Sequence, residues 1–192
     1  KWLEHGLPPR PGGIVGVPSL YINMDRLFEG FVRKIIQIVA RWLRRTRGLD
    51  ITVKGAGSGK PLVVSPRPKA YLRPDILIEV GRAPVAVGDI KYKLVEDPLK
   101  SGPEGDRGAI NQVYTFIHGW NVEKGFLVYP SLTGQTLYEC HTLKGGKKLY
   151  IIALNVYEAP RTFRKLQTSK MFKTLCDFLV ELAEVKGLEN KW

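Results

Sequence analysis

Arg73–Lys93, R-P-D-I-L-I-E-V-G-R-A-P-V-A-V-G-D-I-K-Y-K, decides how the rest of the chain is read. Two apolar runs flank a short Gly/Pro turn, the pattern of two strands joined back to back. Asp75 opens the first strand, and Asp89 and Lys91 lie near the end of the second. Side chains alternate along a strand, so Asp89, Lys91 and Lys93 share one face while Ile90 and Tyr92 point the other way. If the two strands pair, Asp75 and Asp89 converge at one end of a sheet with an amine two residues along. Two carboxylates and an amine on a rigid edge are what a divalent cation and an activated water require.

Working outward, a long helix is expected upstream, from about Met24 to Thr46, with Asn23 as its N-cap and Gly48 as its stop. Phe28, Val32, Ile35, Ile36, Val39 and Leu43 belong to a broad apolar stripe; Arg26, Arg33, Gln37, Arg41 and Arg44 fall opposite. Glu29 sits at the border of that stripe, placed to look sideways into a neighbouring sheet. Ile51–Lys54 begins a strand, and Pro61–Ser65 reads as its return. The intervening G-A-G-S-G-K (55–60) fails as a phosphate-binding loop. That pattern needs Gly at 54 and Ser or Thr at 61, where the chain has Lys54 and Pro61, and no helix pattern follows.

Downstream, 95–108 is a Gly/Pro-rich charged loop. Asp106 can cap a helix to about Gly119, with Ile110, Val113, Ile117 and Trp120 inward and Gln112 and Phe116 on a flank. Three strands are expected at Gly125–Tyr129, Thr136–Thr142 and Lys148–Tyr157. Gly134 and Gly145-Gly146 lie in the gaps, which predicts two hairpins. Ser169 caps a last helix to about Lys186, with Phe172, Leu175, Leu179 and Leu182 inward. The order predicts an α/β fold: a mixed central sheet flanked by helices.

Thirty Lys and Arg against 18 Asp and Glu give a net charge of +12, which draws polyanions, and nucleic acid is the commonest of these. Only Cys140 and Cys176 are present, which argues against an iron–sulfur cluster or a disulfide scaffold and suits a reducing cytoplasm. No apolar run reaches the roughly 18 residues of a membrane span. His5, His118 and His141 show no metal-ligand spacing. Residues 1–20, rich in Gly and Pro, read as an irregular arm before a single domain over 21–192. Because the chain opens on Lys1, it reads as a piece of a longer protein.

Helix, three strands, helix, strand, with P-D on one strand and D-x-K on the next, resembles the PD-(D/E)xK nuclease superfamily and its restriction-endonuclease-like αβββαβ core. Within it the chain is most similar to the McrC-type nuclease subunit of methyl-directed restriction systems. N-M-D-R-L-F-E-G-F-V (23–32), R-P-D-I-L-I (73–78) with G-D-I-K-Y-K (88–93), and N-Q-V-Y-T-F (111–116) carry that likeness, over a core of about 23–130. D/E-x-K alone also occurs at Glu184–Lys186 and Glu189–Lys191, without an upstream P-D.

The resemblance implies a Mg²⁺-dependent deoxyribonuclease, with Mn²⁺ as a substitute. Asp75, Asp89 and the Ile90 carbonyl would be metal ligands, Lys91 would orient the attacking water, and Glu29 would reach the metal shell through water. Gln112 matches the Gln of a Q-x-x-x-Y motif whose Tyr is Phe116 here; Tyr114 is the nearest hydroxyl. Lys93, Tyr114 and Arg107 are candidate DNA contacts. The implied partners are DNA, a GTP- or ATP-driven ring motor and a second copy of the chain. Other readings stand beside these. Asp89 with Lys91 reads also as an edge ion pair, Glu29 as a helical partner of Arg33, and the whole as a non-catalytic nucleic-acid-binding or motor-docking subunit.

Overall fold

The computed structural model describes residues 22–183 apart from 56, 58, 64–66, 68, 101–104 and 159–162. The arm expected at 1–20, the end of the last helix near Lys186 and the two further Glu-x-Lys triplets lie outside the described residues. Helix α1 spans Met24–Arg47. The Asn23 side chain accepts the Arg26 N–H at 3.0 Å, and Gly48 closes the helix at φ +68°, its N–H donating to the Arg44 carbonyl. Strands β1 (Ile51–Lys54), β2 (Lys60–Val63), β3 (Lys69–Leu72), β4 (Ile76–Val80) and β5 (Ala83–Ile90) follow. Helix α2 is Arg107–Trp120, then β6 (Lys124–Pro130), β7 (Leu137–Thr142) and β8 (Lys148–Leu154), a short α3 (Phe163–Gln167) and α4 (Lys170–Ala183).

Six strands form one mixed sheet in the order β1-β4-β5-β6-β8-β7. β4 and β5 are antiparallel across a two-residue turn, Gly81 and Arg82, both at positive φ (+55° and +72°). Two positive φ values give the turn a twist that matches that of paired strands. α2 carries the chain over to β6, which runs parallel to β5. α1, β1, β4, β5, α2 and β6 therefore form a restriction-endonuclease-like core, with β7, β8 and α4 added beyond it.

Alternation divides the core in two. Ile76, Ile78, Ala86, Phe126, Val128 and Ile152 pack under α1 and α4. Leu77, Val87, Leu127, Tyr129 and Leu149 pack under α2 with Val113, Phe116 and Ile117. Two glycines let these layers close. A Cβ on Gly88 would stand 2.1 Å from the Phe126 ring, and one on Gly125 would stand 2.5 Å from Val113. The backbone of β5 thus lies against an aromatic ring one residue before Asp89.

Three expectations are corrected. The strand at 61–65 does not return along β1; β2 pairs with β3 in a separate two-stranded ribbon, and β1 pairs with β4. β6 and β7 do not form a hairpin. β6 is buried along both faces and needs a neighbour on each edge, so β8 lies between it and β7, parallel to β6. Only β7 and β8, across Gly145-Gly146, form the second hairpin. Phe116, placed on a helix flank, is buried. The G-A-G-S-G-K stretch joins β1 to β2 with no helix after it, as expected.

Candidate active site

At one end of the β4–β5 pair the sheet opens into a cleft of about 680 Å³. Ile76 pairs with Gly88, so the next step outward sets Asp75 opposite Asp89. The Asp75 Oδ2 accepts the Ile90 N–H at 2.7 Å, which fixes its carboxylate across the strand end. Asp89 is buried, and its Oδ2 has the Lys91 ammonium at 2.5 Å but no aligned hydrogen bond. Lys91 in turn donates to the Gln112 side-chain carbonyl at 3.0 Å, and its own N–H pairs with Val128 O, extending the β5–β6 ladder by one bond. Asp75, Asp89, Lys91 and Gln112 thus meet on the α2 face of the sheet end.

Electrostatics set this pair apart. Burial, and then the charge of Asp89 beside it, push the Asp75 carboxyl up to about 6 against the opposing pull of the Ile90 N–H and Lys91. Two adjacent carboxylates with one ammonium beside Asp89 are short of positive charge. Among the described residues, no group of three or more His, Cys, Asp or Glu side chains gathers to hold a metal. The donors present still fit a hard divalent ion. Two carboxylates and the Ile90 carbonyl offer oxygen ligands, Asp89 Oδ2 has an ion-pair partner but no aligned hydrogen bond, and the cleft has room for the several waters that Mg²⁺ retains.

The other expected residues divide. Glu29 lines the cleft from α1, but its carboxylate is ion-paired with Arg33, one turn along. Lys93 also lines the cleft. Its strand ends at Ile90, so the expected alternation stops there, and its ammonium turns to Asp106 at 2.7 Å. Arg107 is exposed at the start of α2, and half-buried Tyr114 lies edge-on to His118; neither lines the cleft.

Four cleft residues carried no signal beyond their local role: Asp25, Arg73, Tyr92 and Asp106. Tyr92 packs on Phe28 of α1 in a tilted ring pair, 5.5 Å between ring centres. Asp106 was legible only as a cap, and it does cap α2, accepting the Ala109 N–H at 3.2 Å. It also accepts the Tyr129 hydroxyl at 2.8 Å. Burial pushes its carboxyl up, but the bonds from Lys93, Tyr129 and Ala109 outweigh burial and hold it below its ordinary value. Burial and the bond to Asp106 also raise the Tyr129 hydroxyl well above its usual range.

A mixed six-stranded sheet flanked by helices in this order is compatible with a restriction-endonuclease-like core. The model of one family, described as the McrBC 5-methylcytosine restriction system component, matches residues 13–130, well over half of the chain. The chain belongs to that family. No curated protein matches it.

Proposed function

We propose that the cleft hydrolyses phosphodiester bonds in DNA with the help of a divalent cation, as the McrC-type nuclease part of a restriction system. The observation that carries this is the meeting of Asp75 and Asp89 at adjoining strand ends with the Lys91 ammonium 2.5 Å from Asp89. Asp75, Asp89 and the Ile90 carbonyl would hold Mg²⁺ or Mn²⁺, which lowers the pKa of a bound water and offsets charge on the phosphate. Lys91 supplies N–H donors to the attacking water and to the phosphate oxygens, and Gln112 holds that ammonium in place. The water oxygen bonds to phosphorus as the bond to the 3′-oxygen breaks; the 3′-oxygen takes a proton, leaving a 5′-phosphate and a 3′-hydroxyl. Glu29, which lines the same cleft but is paired with Arg33, acts at the rim. Membership of a family described as one component of a system supports action alongside a second component, a nucleotide-driven ring motor. The net charge of +12 supports a polyanionic substrate.

The test is nicking of supercoiled plasmid in Mg²⁺, with EDTA as control, for the natural chain and for Asp89→Asn and Lys91→Ala. Cleavage that needs the metal and falls by roughly 10²-fold or more in both variants is expected. Equal nicking by all three proteins ends the reading, and so does an absence of cleavage on single- and double-stranded DNA with the motor present.

A further inference from the structure

Helix α1 holds seven cations and two acids, a net +5 of the chain's +12. They are not spread evenly. At 100° per residue, Asp25 and Glu29 turn toward the cleft, which both line, whereas Lys34, Gln37, Arg41 and Arg44, spaced 3, 4 and 3 apart, form one stripe facing β1. Between this stripe and β1 runs a groove of about 270 Å³, whose far wall is Ile51, Thr52 and Val53. β1 is the edge strand of the sheet, so the groove is open along its length.

Two of the three cations lining the groove, Lys34 and Arg41, are spare. Arg44 is bound to Asp50 at 2.5 Å and to Thr52, and this pair fixes one end. The Gln37 amide donates to the Val53 carbonyl at 3.3 Å and fixes the middle. Lys34, Arg41 and the adjacent Arg45 are exposed and form no ion pair among the described residues; Arg41 bonds only its own helix, at the Gln37 carbonyl. Closely spaced like charges repel, and an anion lying between them relieves that repulsion.

From these observations we infer that the α1–β1 groove is a second nucleic-acid site, a track that binds the phosphate backbone of the strand leading to or from the cleft. It rests on the nuclease reading only for the choice of polyanion. At ~1.5 Å per residue the stripe from Lys34 to Arg44 runs ~15 Å, about four phosphates at ~3.4 Å of duplex axis per strand. The cleft residue Glu29 and its ion-pair partner Arg33 lie on the same helix, one turn apart, between the cleft and Lys34. The contacts are to phosphate, so the track positions the substrate and reads no sequence. A membrane surface fits less well. The apolar face of α1, with Val32, Ile36, Val39 and Leu43, is already buried in the core and cannot enter a bilayer.

The experiment is fluorescence anisotropy of a labelled 30-base-pair duplex, in EDTA so that nothing is cut, across a salt series. A triple variant, Lys34→Gln, Arg41→Gln and Arg45→Gln, is compared with one that removes the same charge at the opposite edge of the sheet, Lys144→Gln, Lys147→Gln and Lys148→Gln. The track predicts a loss of ~10²-fold in affinity at 0.1 M salt and a slope of log K against log salt shallower by ~2.7 in the first variant alone. Equal affinity and slope in the two variants overturns it. So does a triple-variant loss seen with phosphatidylserine vesicles and not with the duplex. Because binding is read without metal, a chain that binds along α1 and never cuts defeats the nuclease reading alone. One that cuts while its binding ignores these three charges defeats the track alone.

Discussion

Asp75 and Asp106 line the same cleft, and the fold treats their charges in opposite ways. Asp106 receives a hydroxyl, an ammonium and a helix N–H, and its carboxyl is held below its ordinary value. Asp75 receives one backbone N–H and faces another carboxylate, and its carboxyl rises to about 6. Both are close to the sheet end, Asp106 buried and Asp75 half-buried, so solvent exposure alone does not account for the opposite shifts. The supply of donors does. Where an acid builds the structure, the chain satisfies it; where two acids stand together half-satisfied, their unmatched oxygens cost the fold free energy.

The contrast can be broken or sharpened by substitution. The largest effect is expected at Asp89. In Asp89→Ala, cleavage falls by roughly 10²-fold or more while the melting profile in EDTA changes little, a result that denaturation and plasmid assays read together. Asp106→Ala reverses that pattern. Loss of the cap, with Tyr129 and Lys93 left without their acceptor, costs about 3 kcal/mol by urea unfolding at pH 7. Because the folded carboxyl lies below its ordinary 3.8, the stabilisation is present above that value and lost as pH falls through the lower one, so natural and variant stabilities converge on acidification.

Asp75→Asn has the opposite sign. Its folded carboxyl binds its proton up to about 6, so ionisation disfavours the fold as pH rises from 3.8 to 6. In EDTA the variant is more stable than the natural chain by ~1–2 kcal/mol at pH 7 after allowance for solvent screening, and equal to it at pH 3.5. A destabilised variant at pH 7 would show that the pair is a structural feature like Asp106. The smallest effect is expected at Gln112: freeing the Lys91 ammonium in Gln112→Ala lowers kcat about 10-fold with the metal affinity unchanged.

Much of this arrangement was legible. α1 and α2 begin at Asn23 and Asp106 as their caps predict, because capping and 3.6-residue periodicity are local. The β4–β5 hairpin was legible from its two-residue turn, but its register was not: counting back from that turn sets Asp75 opposite Gly88, and a one-residue bulge at Val85 moves it to Asp89. What failed was long-range. K-G-F-L-V-Y-P of β6 is apolar on both faces, which marks a central strand, but nothing in it says that its second neighbour lies past β7. β3, K-A-Y-L, was missed because a short half-polar run beside two prolines has no period to read. Lys93, just past the end of β5, and Tyr129, at the end of the parallel β6, reach Asp106 from two neighbouring strands, a meeting that only the tertiary structure creates. Its trace in the sequence is a lone tyrosine at the end of an apolar strand.

Gly88 leaves room for the Phe126 ring, and Phe126 in turn lies edge-on to Phe178 of α4, 5.4 Å between centres. The strand that carries Asp89 is therefore wedged from behind by a residue nearly fifty positions past the segment that the family shares. A truncation at Pro130 would strip β6 of its outer partner and take away that wedge. The shared segment is a catalogue of parts, and the C-terminal strands and helix are the vise that holds them at working distance.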